Sequence, residues 1–271
     1  MLEIPETISQ VSSGVVCLAF FKGEEQVGTG SGFLSNELLI TNSHVIRPRE
    51  PFDAVEITFG DQDSNPIAPV RFLPEDLHST IIAESLENEF DYAVLKIDEP
   101  EFRNRAQFKI RSAERIKVGE QVLFFGFPFG SRHLTSHVGY ISAEFWLDSV
   151  HRLQIDGSIN PGNSGGPLLH LSLGTAIAIV TRTQTGLEKD FDELLFAIER
   201  NVEVLRHSRG KGITISMAGI DPLQSTQATM TILGRLAKNL KRTANVGIGY
   251  AFCAEHILAT GLFNKQSSRS D

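Results

Sequence analysis

Short apolar runs, cut at close intervals by Gly, Asn and Asp, fill the first hundred residues of this chain with no long helical period between them. SGVVCLAFF (13–21), VGTGSGFLS (27–35), LLITN (38–42), AVEITFG (54–60) and YAVLKI (92–97) follow one another in this way. Branched and aromatic residues bounded by turn formers at this spacing predict an all-β barrel or sandwich and argue against βαβ units. Residues 98–117 are charged and mostly non-periodic, and read as a linker. A second strand-rich half follows, with QVLFFGFPFG (121–130), VGYISAEFW (138–146), RLQID (152–156) and TAIAIVTRT (175–183).

From about 187 the pattern becomes helical. Leu194, Leu195, Ile198, Val202 and Leu205 recur at helical spacing, with acids in the opening turn and basic residues in the last. Asp221-Pro222 predicts a second helix start, with the stripe Leu223, Met230, Leu233, Ala237 and Leu240. The chain returns to a glycine-rich strand at NVGIGYAF (245–252) and a short helix.

A chain of 271 residues can bury one large core or two small ones. Its net charge of −8 gives a nucleic-acid partner no overall support, and RLAKNLKRT (235–243) reads as a solvated helix face. The apolar stretch near the start is too short to span a bilayer and lacks the flanks of a secretory signal. With Met1 in place, a cytoplasmic protein is expected. Cys17 and Cys253 read as reduced core thiols rather than a disulfide framework or metal ligands, so no metal or organic cofactor is expected. DQDSN (61–65) mimics a calcium loop but has Pro66 at the glycine position and Phe72 at the twelfth, so it reads as a polar turn.

The chemistry sits in SINPGNSGGPLLHL (158–171). A serine hydroxyl becomes a nucleophile only when a neutral imidazole takes its proton and a carboxylate orients that imidazole. Glycines on both sides of Ser164 let the backbone turn N–H groups inward, so Gly162 and Ser164 are natural oxyanion donors, worth about 3 kcal/mol each. His44 follows an apolar strand in LLITNSHVI, and Asp91 precedes one in NEFDYAVLKI. Either alone is as readily a core histidine or a cap; together they supply base and orienter in the order His, Asp, Ser.

These strings resemble the trypsin-like serine proteases, and most closely the HtrA (DegP-like) branch. The resemblance rests on GTGSGFLSNELLITNSHVI, FDYAVLKI, VGEQVLFFGFPFG, VGYISA and INPGNSGGPLL, in that order, with AIAIVTRT and VGIGYAF flanking a specificity pocket. It implies two perpendicular six-stranded antiparallel β-barrels. One, over 1–110, carries His44 and Asp91; the other, over 111–271, carries Ser164 and a helical insertion at about 184–244. Ser164 is then the nucleophile, His44 the general base and acid, Asp91 the orienter, and Thr181 a hydroxyl within reach of Asp91. The implied substrate is a protein or peptide, with no nucleic acid, membrane, metal or cofactor.

Departures from the family carry information. Ser43 stands where alanine is usual. Asn163 replaces the aspartate that zymogen-activated relatives pair with a new amino terminus, so no proteolytic activation is expected. The branch usually appends a peptide-binding PDZ domain, and the eleven residues after 260 leave no room for one. The helical insertion is expected to act as a lid, a docking or self-association surface, or a stabilising decoration. At the pocket floor, Ser158 in place of an acid argues against Lys/Arg selection, and Thr183, where a glycine often lines the pocket, narrows it, so cleavage after small or medium apolar residues is expected; Arg182 reads as a solvent-facing arginine or as a cleft residue favouring an acidic substrate side chain.

Two rivals stand beside this reading. GNSGG also fits the G-x-S-x-G elbow of α/β-hydrolases, with Asp221 and His256 as partners, but the strand–turn–helix context is missing. The other is a protease fold kept as a binding, scaffold or regulated sensor module with little resting activity.

Overall fold

The computed structural model describes residues 3–60, 69–87, 89–181, 188–210, 221–243 and 247–263. Helix α1 (Ile4–Val11) leads into β1 (Val15–Lys22), β2 (Glu25–Ser35) and β3 (Leu38–Thr41), then the short helix α2 (Ser43–Ile46). Next come β4 (Ala54–Phe59), β5 (Val70–Phe72), α3 (Pro74–Ser79), β6 (Ile81–Ser85) and β7 (Tyr92–Leu95). The second half has β8 (Gln121–Gly126), β9 (Thr135–Leu147), β10 (Val150–Asp156), β11 (Pro167–His170) and β12 (Thr175–Thr181). Helices α4 (Glu188–Gly210) and α5 (Pro222–Thr243) precede β13 (Ile248–Cys253) and α6 (Glu255–Leu258).

The all-β expectation holds, with one difference in the first half. Its strands make a seven-stranded sheet in the order β5-β4-β1-β2-β3-β7-β6, where a closed six-stranded barrel was expected. The second half is a closed six-stranded barrel, β10-β13-β12-β11-β8-β9. The seventh strand is β5, three residues paired with β4 at one edge; at the other edge β6 pairs with β7, and among the described residues no ladder joins the two edges.

Strand alternation explains how the two halves become one body. Successive side chains on a strand point to opposite faces. On β1, Val16, Leu18 and Phe20 enter a core confined to the first sheet, whereas Val15, Cys17 and Ala19 enter a core shared with the barrel. On β8, Val122 and Phe124 fill the barrel's own core while Leu123 and Phe125 meet the shared one. Runs such as VVCLAFF and VLFF are therefore apolar without alternation because both of their faces are buried. Residues 1–183 and 247–271 accordingly form one compact unit. The expected linker is drawn into it too: Phe108 is buried in the shared core, and Ala113 and Ile116 in the barrel's.

Residues 184–246 form a second compact unit, whose described helices are α4 and α5. Their seam uses part of each expected stripe. Ile198 and Ala237 are buried, and Gly234 lets Ile198 approach closely, a Cβ there standing 3.3 Å from its Cγ2. Leu194, Leu233 and Leu240 are exposed instead, as are Phe196, Val204, Ile232 and Leu236. A helix period of 3.6 allows more apolar positions than a two-helix seam can cover. The Asp221 cap is present: its carboxylate accepts from the Leu223 and Gln224 amides at 2.9 and 3.2 Å.

Phe125 is fully buried in the shared core. Phe125→Ala should cost about 3–5 kcal/mol, read as a lowered urea midpoint; a change within experimental error would show that the shared core is not what joins the halves.

Candidate active site

The expected base stands at the start of α2, directly after β3. Asn42, the N-cap residue, has extended backbone but makes no side-chain cap. Its amide nitrogen donates instead to the Asp91 carbonyl at 2.7 Å. Asp91 itself sits at φ +46, a left-handed conformation that non-glycine residues adopt rarely. The Asn42 bond and its own amide donating to Leu86 O, at 3.1 Å, hold it there.

That placement aims the carboxylate at α2. Oδ1 accepts the His44 backbone amide at 3.0 Å and Oδ2 pairs with His44 Nδ1 at 2.7 Å. The His44 and Asp91 side chains are 7% and 2% exposed. An ionised carboxylate only accepts, so Nδ1 carries the proton and Nε2 keeps its lone pair free to act as a base. Thr181 Oγ1 reaches Asp91 Oδ2 at 3.5 Å, the expected partnership but a long one.

Glu84 on β6 buttresses this arrangement and was not foreseen. It accepts from Ser43 Oγ at 2.7 Å and grips Arg47 with both oxygens, Nε at 2.7 Å and Nη2 at 2.8 Å. The fork ties both ends of α2 to the first sheet, so Ser43, which stands where alanine is usual, anchors it. The Arg47 hydrogen bonds, with smaller help from Ser43 and His78, hold the Glu84 carboxyl below its usual range against the opposing effect of burial. Nothing in IIAES marks Glu84 in the sequence.

The expected nucleophile lies in the turn between β10 and β11. Asn160-Pro161-Gly162-Asn163 closes with the Asn163 amide donating to Asn160 O at 2.9 Å, with proline second and Gly162 third at φ +102. That is the pattern of a type II turn, which needs positive φ at its third residue. Phe129 N donates to Pro161 O at 2.8 Å and so fixes the plane of the Pro161–Gly162 peptide. Because that peptide is trans, its N–H points away from the pinned carbonyl. Among the described residues, neither the Gly162 nor the Ser164 amide donates to a carbonyl or side chain. Both remain available to an oxyanion.

One residue of β2 brings the two halves of the site together. Ser31 N donates to Ser164 O at 2.7 Å, and Ser31 Oγ donates to Gly162 O at 2.6 Å. The Ser31 carbonyl accepts Thr41 Oγ1 at 2.6 Å, three residues before His44. Gly165 completes the junction, since a Cβ on it would overlap both Ser31 O and Thr41 Oγ1. Ser164 and His44 therefore lie on either side of one buried junction. No hydrogen bond joins Ser164 Oγ to His44 Nε2 among the described residues; catalytic hydrogen bonds commonly tighten only around substrate.

The remaining expected residues separate. Ser158 is exposed in the loop after β10. Arg182 and Thr183 lie outside the described residues, as does the polar turn at 61–65. Asp221 caps α5 in the helical unit, and His256 lies in α6, where its ring stacks on Phe90 at 3.4 Å. The two cysteines are buried free thiols as expected, with burial pushing Cys17 up to about 12.

Two substitutions probe this geometry. Gly162→Ala puts a Cβ onto the Phe127 carbonyl at a strained φ; peptide turnover should fall by about two to three orders of magnitude while circular dichroism keeps the wild-type form. Glu84→Gln tests the buttress by pH. A carboxyl held lower in the folded than in the unfolded state stabilises above the ordinary carboxylate range, and that contribution fades as pH falls through the lowered value. The Tm gap between wild type and Glu84→Gln should be constant near neutral pH and shrink on acidification; a gap that widens in acid contradicts the assignment.

A family model described as a trypsin-like peptidase domain matches residues 28–179. The chain is 32% identical over 188 residues to a probable periplasmic serine endoprotease DegP-like of Pseudomonas putida, covering 66% of this chain and 34% of that protein. It is 35% identical over 164 residues to Protease Do-like 1, chloroplastic, of Arabidopsis thaliana, covering 57% of this chain and 33% of that protein. The chain thus spans about a third of the length of these curated relatives. Those names refer to periplasm and chloroplast, and the cytoplasmic expectation finds no support in them. Among the described residues, no helix is long and apolar enough to cross a membrane.

Among solved structures, the HtrA-type protease AlgW with tripeptide shares the fold at a TM-score of 0.56 and 21% identity, over 97% of this chain and 64% of that one. Deg5 matches at a TM-score of 0.52 and 28% identity, over 67% of this chain and 88% of that one. With more than half of its length matched by the family model and HtrA-type proteins recurring among its relatives, the chain belongs to the trypsin-like peptidase domain family, in the HtrA (DegP-like) branch.

Proposed function

We propose that this chain hydrolyses peptide bonds through an acyl-enzyme on Ser164, with His44 as general base and acid and Asp91 as its orienter. The observation that carries this reading is the 2.7 Å pairing of His44 Nδ1 with Asp91 Oδ2, at the junction that also holds the Ser164 turn. Ser164 Oγ attacks the carbonyl carbon of the substrate as His44 Nε2 takes its proton. The oxyanion that forms is received by the Gly162 and Ser164 amides, which donate to no other group of the described residues. His44 returns the proton to the leaving amine, and the acyl group stays on Ser164. Water then attacks the ester, giving its proton to His44, and the carboxylic product leaves as Ser164 is protonated again.

The substrate in this reading is a protein or peptide. Ser158 supports cleavage after small or medium apolar residues, since no acid stands where trypsin-type selection needs one. The apolar side chains exposed on α4 and α5 support a role for the insertion in partner binding or self-association. The free amides beside Ser164 favour a competent resting site over an inert scaffold.

A fluorophosphonate probe should label the wild-type chain and fail to label Ser164→Ala. Ser164→Ala and His44→Ala should each lower peptide turnover by about four to six orders of magnitude; a loss below about tenfold in either would sink the assignment.

A further inference from the structure

Away from the Ser164 turn, two strands and a helix start bring three metal-ligating side chains together. The β10–β13 register pairs Arg152 with Phe252, which sets His151 beside Cys253, one residue further along each strand. Glu255 opens α6 immediately afterwards. One ligand atom from each of His151, Cys253 and Glu255 lies within 4.8 Å of the other two. We propose that these three residues bind one divalent transition-metal ion, with zinc the best match, and that the ion clamps β10, β13 and α6 together.

The polar atoms of the cluster support this. His151 is 1% exposed, and its Nε2 pairs with Glu144 Oε1 at 2.8 Å while its ring stacks on Trp146. A proton on Nε2 directed at a carboxylate leaves the Nδ1 lone pair pointing inward, as in the carboxylate–histidine–metal arrangements that orient ligands. Among the described residues, Nδ1 is buried without a hydrogen-bond partner, and so is Glu255 Oε2. The other carboxylate oxygen, Oε1, is fixed by the Ala113 amide at 2.6 Å and Ser112 Oγ at 3.0 Å. Buried polar atoms seldom go unpaired, and here two of them belong to one cluster.

Distance and charge agree. Tetrahedral zinc with bonds of about 2.0–2.3 Å asks for ligand atoms about 3.3–3.7 Å apart. His151 Nδ1 and Glu255 Oε1 stand 3.6 Å apart, too far for a good hydrogen bond, which sets the carboxylate, with Oε2 unpaired, near enough to share an ion with the imidazole. Thiolate and carboxylate together carry two negative charges, so a divalent ion with neutral imidazole leaves no net charge in a buried place. Binding breaks the Cys253 S–H bond and forms a metal–sulfur bond, with the proton leaving to solvent. The thiol–imidazole–carboxylate set suits zinc better than calcium or magnesium, which take oxygen ligands. Protonation of His151 is the rival; it adds a proton at Nδ1 but leaves Glu255 Oε2 and the Cys253 thiol as they are.

The test uses the full chain, stripped with chelator and refilled. Zinc should be retained through gel filtration at about one ion per chain by mass spectrometry, and its return should raise Tm. Cobalt in its place should give a thiolate-to-cobalt charge-transfer band. Cys253→Ala and His151→Ala should each weaken zinc binding by about a hundredfold or more, and Cys17→Ala should leave it intact. Should either ligand variant not fold, the cobalt spectrum of the wild-type chain decides: the band supports the site and its absence overturns it. Less than about a tenth of an equivalent bound at micromolar zinc, or stoichiometric binding that survives both ligand variants, also overturns it.

Discussion

Ser31 is the point on which the site's assembly depends. Its hydroxyl spends its one proton on Gly162 O and accepts the Phe127 amide at 3.1 Å; its own amide holds Ser164 O. Its carbonyl takes the Thr41 hydroxyl. One fully buried residue of the first sheet thus grips the Ser164 turn, the end of β8 and the end of β3. Each of these groups would cost about 1–3 kcal/mol if left buried and unpaired, so the halves cannot slide past one another without breaking several bonds at once. The proposed nucleophile on one half and the proposed base on the other need that rigidity.

Around this junction, local backbone preferences are overridden to aim side chains. Asp91 accepts a left-handed φ, a cost of order 1–3 kcal/mol that persists only where neighbours over-determine it. Asn42 gives up its capping bond for the Asp91 carbonyl, and Arg47 and Ser43 give α2 a second anchor on Glu84. A four-residue helix has little stability of its own. Its position is set by polar bonds to β6 and to the turn before β7, together with the burial of Val45 and Ile46.

Much of this could be read before any coordinates were at hand, for a physical reason. Strands announce themselves through branched and aromatic residues between turn formers, and the runs containing β1–β4, β7–β10, β12 and β13 all did so. The Gly-Asn-Ser-Gly-Gly turn declared its chemistry because few residues other than glycine allow its backbone path. Pairings between distant, individually ordinary residues stayed hidden. Ser31 looks like any small residue of a strand, and Glu84 like an exposed acid. His151 and Cys253, about a hundred positions apart, become neighbours only through the β10–β13 register. The strands β5, β6 and β11 were not read as strands. The helix α1 was passed over although Ile4, Ile8 and Val11 repeat at helical spacing.

The amino-acid sequence by itself determined the β-rich class and the helical insertion and singled out the three residues proposed as the triad, because each of these is written in local composition and spacing. Tertiary structure alone decided that the first half is an open seven-stranded sheet, that doubly apolar strands serve two cores at once, and that Ser31 and Glu84 hold the site in place. It also decided that His151 meets Cys253 and Glu255, about a hundred residues further along the chain, in one cluster of polar atoms. Those outcomes depend on strand register and long-range pairing, which are fixed by how all the side chains fill space together and leave no mark on any short stretch.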